Sequence, residues 1–205
     1  MGIMEAPERE TVVVGRGAPT VWWVIALVGG VLGIAGTIWQ MVERLAYESD
    51  PTGDSFCEIN AAVSCSSVYS HWQSSALGLP NALIGLPVFA FISSAAVGAL
   101  LGSRPSHRYL ASVWGLGLFM TVFATWYMEQ TAFEIGSLCI FCAASLVCIM
   151  IVGVGLTRVV AAEQALGTGR AGRRLARLVD SDIDLALWVG LGVAVAAMLF
   201  LRLPW

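Results

Sequence analysis

Five stretches of this chain run for 17 residues or more without Asp, Glu, Lys or Arg: Val21 to Val42, Ala82 to Leu101, Tyr109 to Met128, Leu138 to Leu156 and Leu185 to Leu201. The shortest reaches roughly 26 Å as a helix rising 1.5 Å per residue, so each run can cross a hydrocarbon core with help from its flanks. The expected fold class is therefore all-α integral membrane, with five transmembrane helices. Composition agrees, because 58% hydrophobic and 12% charged residues are far from the usual soluble mixture.

All eleven basic residues are Arg, and the absence of Lys excludes Schiff-base and phosphate-loop lysine chemistry. Arg9, Arg16, Arg104, Arg108, Arg158, Arg170, Arg173, Arg174 and Arg177 fall on one side of the expected helices; Arg44 and Arg202 fall on the other. The positive-inside rule then predicts a cytoplasmic N-terminus, with the first and third loops and the C-terminus external. Glu5, Glu8, Arg9, Glu10 and Arg16 precede a first apolar run too long for a signal peptide, so no cleavable signal is expected.

Along the chain, residues 1–20 read as a cytoplasmic tail, 21–157 as a four-helix unit with an outer loop at 43–79, 158–184 as a basic cytoplasmic loop facing lipid headgroups, and 185–205 as the fifth transmembrane helix. Gly29, Gly30, Gly33 and Gly36 offer a small-residue packing face on the first helix, which is expected to end near Trp39 to Arg44. Tyr47 to Asp54 has turn chemistry. From Ser64 onward, Val68, Trp72 and Ala76 recur every four residues, which predicts a short amphipathic helix over the mouth of the bundle. Pro80 suits the first position of helix two, and Pro87 is expected to kink it. Glu129 to Ser137 reads as a brief loop into helix four.

That loop delivers Cys139 and Cys142, a CxxC pair at the edge of an apolar run. With Ser137 as the expected N-cap, the first helical turn favours thiolate over thiol. Topology puts Cys57 and Cys65 on the same side, in a compartment where disulfides persist. Such a loop pair alone serves as a staple. A CxxC at the lip of the bilayer can instead exchange electrons with something dissolved in lipid. Zinc is a competing use, although seven residues separate Cys57 from Cys65, a poor match to the close pairs of structural sites. Cys148, deeper in helix four, reads as an inert packed thiol.

Several features together resemble the vitamin K epoxide reductase (VKOR) family and its bacterial homologues. These are the spaced loop cysteines, Cys65, Ser66, Val68, Tyr69, Ser70 with nearby Trp72, then Asn81 and Gly85 opening helix two, then CxxC opening helix four. The resemblance covers roughly Trp22 to Thr157. The other quinone-linked disulfide generators place CxxC in the first outer loop, the reverse order. The resemblance implies a four-helix bundle holding a quinone (menaquinone, ubiquinone or vitamin K type) beside the CxxC, under the loop helix. It implies that Cys142 lies nearest the quinone, Cys139 is its exchange partner, Cys65 is the shuttle and Cys57 meets substrate proteins, with Asn81 hydrogen-bonded to a quinone carbonyl. Vertebrate members carry Tyr where Leu146 stands, so the resemblance extends to quinone reduction and not to an epoxide-specific contact; many bacterial members carry Pro where Ile140 stands, so the potential of the CxxC pair does not carry over. Many bacterial homologues carry a fused thioredoxin-like domain after helix five; this chain stops at Trp205, so the expected partner is a separate exported thioredoxin-like (DsbA-like) protein.

Ser70 and His71 lie near the loop thiols and could lower a thiol pKa or hydrogen-bond the quinone. Glu129 and Glu134 flank the CxxC entrance, where solvated carboxylates are the simpler reading. The expected function is thus a membrane thiol-disulfide oxidoreductase that passes electrons from exported thiols through Cys57/Cys65 and Cys139/Cys142 to a quinone, with no resident metal. The alternatives are a non-enzymatic membrane protein with structural disulfides and an outer-face metal-binding module.

Overall fold

The computed structural model describes residues 18–51 and 56–205. Expectations for the N-terminal tail, Arg9 and Arg16 included, and for Thr52 to Asp54 lie outside the described residues. In chain order the elements are α1 (Thr20–Ser49), α2 (Cys65–Tyr69), a 3-10 turn (Trp72–Ser75), α3 (Asn81–Leu100), α4 (His107–Gln130) running on into a π turn (Thr131–Ile135), α5 (Ile140–Ala162), α6 (Arg170–Asp180) and α7 (Ile183–Arg202). Five of these helices, α1, α3, α4 with its π turn, α5 and α7, are long and apolar enough to cross a membrane. Among the described residues β structure is limited to two isolated bridges. The chain is an all-α, multi-pass membrane protein.

α1 is the centre of the bundle, packed between α3 and α5. A Cβ at Gly29 would come within 2.9 Å of the Cys148 carbonyl oxygen, and one at Gly155 within 2.7 Å of the Trp22 carbonyl oxygen. α1 and α5 therefore meet backbone to backbone at two levels, a closeness that small residues alone permit. On the other side Gly33 lies under the Phe89 ring of α3, whereas Gly36 faces open space and takes no part in the packing. α4 closes the bundle against α5, where the Trp114 indole N–H donates to Thr157 Oγ1 at 3.0 Å.

α7 lies outside these four helices, with the Trp188 ring against Gly153 of α5. Its start is fixed by charge: Arg158 of α5 donates to both carboxylate oxygens of buried Asp184, at 2.9 and 2.8 Å, and stacks on the Trp22 ring 4.6 Å away. Val21, Val28, Leu32, Phe119, Val122, Leu187 and Phe200 stay exposed on the outer surface, as lipid contact requires.

The structure corrects several local expectations. α1 does not end near Trp39 to Arg44 but runs to Ser49, so Tyr47 to Ser49 are helix and not turn. An Arg44 to Glu48 ion pair at i,i+4 supports the added turns. The loop helix is split in two, because Val68 is buried while Trp72 is exposed, so their four-residue spacing does not mark one face. Pro80 stands just before α3 and not at its first position. The basic loop holds a helix of its own, α6, after α5 has continued to Ala162.

Candidate functional site

The outer loop is positioned by a short piece of extended backbone. Asn60 Oδ1 accepts from the N–H groups of Ala62 and Val63 at 2.9 and 3.0 Å and turns the chain back toward the bundle. Val63 then forms a parallel bridge with Leu138: the Ser64 amide donates to the Leu138 carbonyl at 3.2 Å, and the Leu138 amide to the Ala62 carbonyl at 2.8 Å. Ser137 adds a side-chain bond, donating to the Ala61 carbonyl at 3.1 Å, so it is not the N-cap of α5. Cys139 itself occupies that cap position, in extended conformation.

Past the bridge, Cys65 follows Ser64 at the start of α2 while Cys139 directly follows Leu138, so the two cysteines come side by side. Cys65 Sγ and Cys139 Sγ are 3.1 Å apart, both fully buried. Cys65 is joined to Cys57, with Cα atoms 5.4 Å apart, while Cys139 and Cys142 are free thiols. The sulfurs of Cys57, Cys65 and Cys139 all lie within 4.8 Å of one another, a metal-like cluster in distance alone. Two of the three are bonded to each other, which removes the thiolates that a zinc site needs.

Burial pushes the Cys139 thiol up, but the Cys142 thiol, the N–H groups of Cys142 and Phe141 and the Tyr69 hydroxyl outweigh it and hold Cys139 below the ordinary cysteine range. Burial, and then the negative charge of Cys139 and Cys142, push the Tyr69 phenol well above its usual value, so it remains a donor. Cys142, one turn into α5, accepts from the Gln40 side-chain N–H at 3.0 Å.

Behind Cys142 lies an apolar cleft among α1, α3, α4 and α5. Gln40, Asn81, Phe89, Met120 and Tyr127 are part of its wall, and the Cys142 side chain is in it. Asn81 Nδ2 donates to the Gln73 carbonyl of the 3-10 turn at 2.9 Å, while its Oδ1 is buried with no partner. The loop is held over the cleft by Arg44, which donates to the Tyr69 carbonyl and to Ser74 Oγ, each at 2.9 Å.

The structure thus brings Cys57, Cys65, Cys139 and Cys142 together and sets Asn81 at the cleft. It does not bring Ser70 or His71 there: neither lines the cleft, Ser70 is exposed, and His71 Nδ1 bonds to the Ser67 carbonyl at 2.7 Å. Glu134 is exposed, and Glu129 accepts from Gln130 at 2.6 Å. Cys148 is buried against α1. Gln40, Tyr127 and Arg44 escaped the sequence reading, although an isolated polar side chain in an apolar run, as Gln40 is, was a usable signal.

The model of the vitamin K epoxide reductase family matches residues 23–157, which span α1 to most of α5 and hold all five cysteines. A search of curated proteins finds no match.

Proposed function

This chain belongs to the vitamin K epoxide reductase family and is a membrane thiol oxidoreductase, and from that premise we propose that it carries electrons from exported protein thiols through Cys57/Cys65 and Cys139/Cys142 to a membrane quinone. The observation that carries the proposal is the 3.1 Å separation of Cys65 Sγ and Cys139 Sγ, with Cys142 one turn further on in the wall of an apolar cleft.

Each transfer balances as disulfide exchange. A partner dithiol reduces the Cys57–Cys65 bond and becomes a disulfide. The Cys65 thiolate attacks Cys139 of an oxidised Cys139–Cys142 pair, forming Cys65–Cys139 and releasing Cys142 with the bonding electrons. Cys57 then attacks Cys65 and frees Cys139. The result, Cys57 joined to Cys65 with both inner thiols free, matches the bonding pattern of the structure. A bound quinone of the menaquinone, ubiquinone or vitamin K type supplies the two-electron oxidant that restores the inner disulfide.

The cleft fits such a group. Its walls are apolar, and Asn81 offers a buried unpartnered oxygen that can accept from a quinol hydroxyl, with one further N–H to donate to a carbonyl. Cys57 is fully buried, so a partner thiol reaches it once the loop opens and not by simple surface contact. The proposed partner is an exported thioredoxin-like protein, and the Arg distribution supports cysteine loops and a C-terminus that face outward. A reporter fused at Trp205 tests that orientation.

Cys57→Ala tests the path. Without the resolving thiol, the Cys65–Cys139 mixed disulfide should accumulate and be found by non-reducing peptide mapping. Cys65 recovered free, or linked to Cys142, would overturn the inner assignments; full activity of both Cys57→Ala and Cys65→Ala toward protein dithiols would reduce the loop pair to a staple.

A further inference from the structure

α5 begins beside the cysteines and ends at Ala162, roughly 35 Å away at 1.5 Å per residue, so α6 lies at the opposite end of the bundle. It is held between the end of α5 and the start of α7, with Leu175 buried on its inner face. Arg170, Arg173, Arg174 and Arg177 are all exposed. Among the described residues none of these four makes an ion pair. The acids that follow α6, Asp182 and Asp184, are both taken by Arg158 of α5, which leaves Asp180 as the one carboxylate of the helix itself. Arg173 gives an N–H to the Thr168 carbonyl, and Arg177 gives its Nε–H to the Arg173 carbonyl at 3.3 Å. Both acceptors are neutral, so the charge of α6 stays uncompensated.

Arg174 and Arg177 are three residues apart, hence on one face, and they line a groove with Leu178, Ser181 and Ile183. The groove surface is mostly apolar in spite of the two guanidinium groups. Ile183 and Leu187, four residues apart on α7, are both exposed, so the groove continues onto the membrane-facing side of that helix. Two free cations at the head of an apolar track match a molecule with an anion at one end and hydrocarbon at the other. We propose that this groove binds an anionic phospholipid, with its phosphodiester between Arg174 and Arg177 and an acyl chain along Leu178, Ile183 and Leu187. A guanidinium meets phosphate oxygens through paired N–H bonds. A zwitterionic lipid brings its own cation against the arginines, whereas a lipid of net negative charge is attracted by each of them. A soluble phosphate would leave the apolar track uncovered. The site contains no residue of the cysteine relay, and so does not depend on the electron path.

For the test, full-length protein in a neutral detergent is titrated with phosphatidylglycerol or with phosphatidylcholine of identical acyl chains. The dissociation constant of the first lipid bound is read by native mass spectrometry. Phosphatidylglycerol should bind about tenfold more tightly, and Arg174→Gln with Arg177→Gln should remove that preference. Arg174→Met with Arg177→Met serves if the Gln pair does not fold. Arg170→Gln with Arg173→Gln takes away the same charge outside the groove and should keep most of the preference. Equal affinity for the two lipids in the native protein would overturn the proposal, as would a preference that survives loss of Arg174 and Arg177. An equal loss in both double variants would also overturn it, because it marks a diffuse field and not a site. Displacement of the bound lipid by glycerol 3-phosphate would make a soluble phosphate the ligand and sink the lipid assignment.

Discussion

The Ser64 amide donates to the Leu138 carbonyl at 3.2 Å, and through that bond a loop and a helix start that are 74 residues apart, from Ser64 to Leu138, share one register. Cys65 and Cys139 directly follow these two residues, at the starts of α2 and α5, so the backbone places one sulfur against the other. Leu138→Pro removes the amide that donates to the Ala62 carbonyl. In a Cys57→Ala background this change should lower the yield of the Cys65–Cys139 mixed disulfide several-fold while the protein still folds, as judged by its melting temperature. An undiminished yield would mean that packing of the loop, and not the bridge, sets the register.

Arg44 ties the loop to α1 through two bonds at 2.9 Å, and its guanidinium lies 5.3 Å from the centre of the Tyr69 ring. A lysine cannot reproduce the fork that reaches both acceptors. Arg44→Lys and Arg44→Met should therefore loosen the loop and speed reduction of the Cys57–Cys65 disulfide by dithiothreitol roughly tenfold, since bonds from a charged donor contribute about 1.5 to 3 kcal/mol. Unchanged reduction rates in both variants would show that the loop is held by its apolar contacts alone.

Asn81 has two separable duties, one toward the Gln73 carbonyl and one inside the cleft. Asn81→Ala should raise the apparent quinone KM several-fold. It should also lower the melting temperature by an amount matching about 0.5 to 1.5 kcal/mol, the usual worth of one hydrogen bond. A lower melting temperature with an unchanged KM would assign Asn81 to the loop alone.

The Glu58 carboxylate gives a pH dependence with a defined sign. Burial would raise its pKa, but the Ser66 N–H at 2.8 Å, the Ser64 and Ser66 hydroxyls and the Cys65 N–H hold it below the ordinary carboxylate value. The folded value is lower than the unfolded one, so its stabilising effect is present above the unfolded value and is lost as pH falls through the folded value. In Glu58→Gln the drop in melting temperature between about pH 7 and pH 3 should be smaller than in the native protein. Parallel pH profiles would mean that the bond to Ser66 exchanges freely with water.

The spanning helices were legible in the residues because lipid tolerates few charges over such lengths, and that rule needs no knowledge of neighbours. The cysteine order, CxxC after the spaced loop pair, was equally plain, and it marked the family that the match over residues 23–157 establishes. Local ends were less legible. α1 outlasts its apolar run because Arg44 and Glu48 support each other on its surface and Tyr47 packs on Tyr69 at 5.9 Å, contacts that depend on where the loop falls.

What the sequence by itself determined is which segments enter the membrane and which residue types reach the lip where the cysteines meet, since hydrophobicity and loop order are properties of the chain alone. What the tertiary structure decided is the pairing within that lip. Ser137 became a clamp on Ala61 instead of a helix cap, Ser70 and His71 turned away from the cleft, and Gln40 came to rest on Cys142. Each of these depends on the angle at which two distant segments meet. That angle is set by the backbone approach at Gly29 and Gly155 and by the bridge between Val63 and Leu138, which no local pattern encodes.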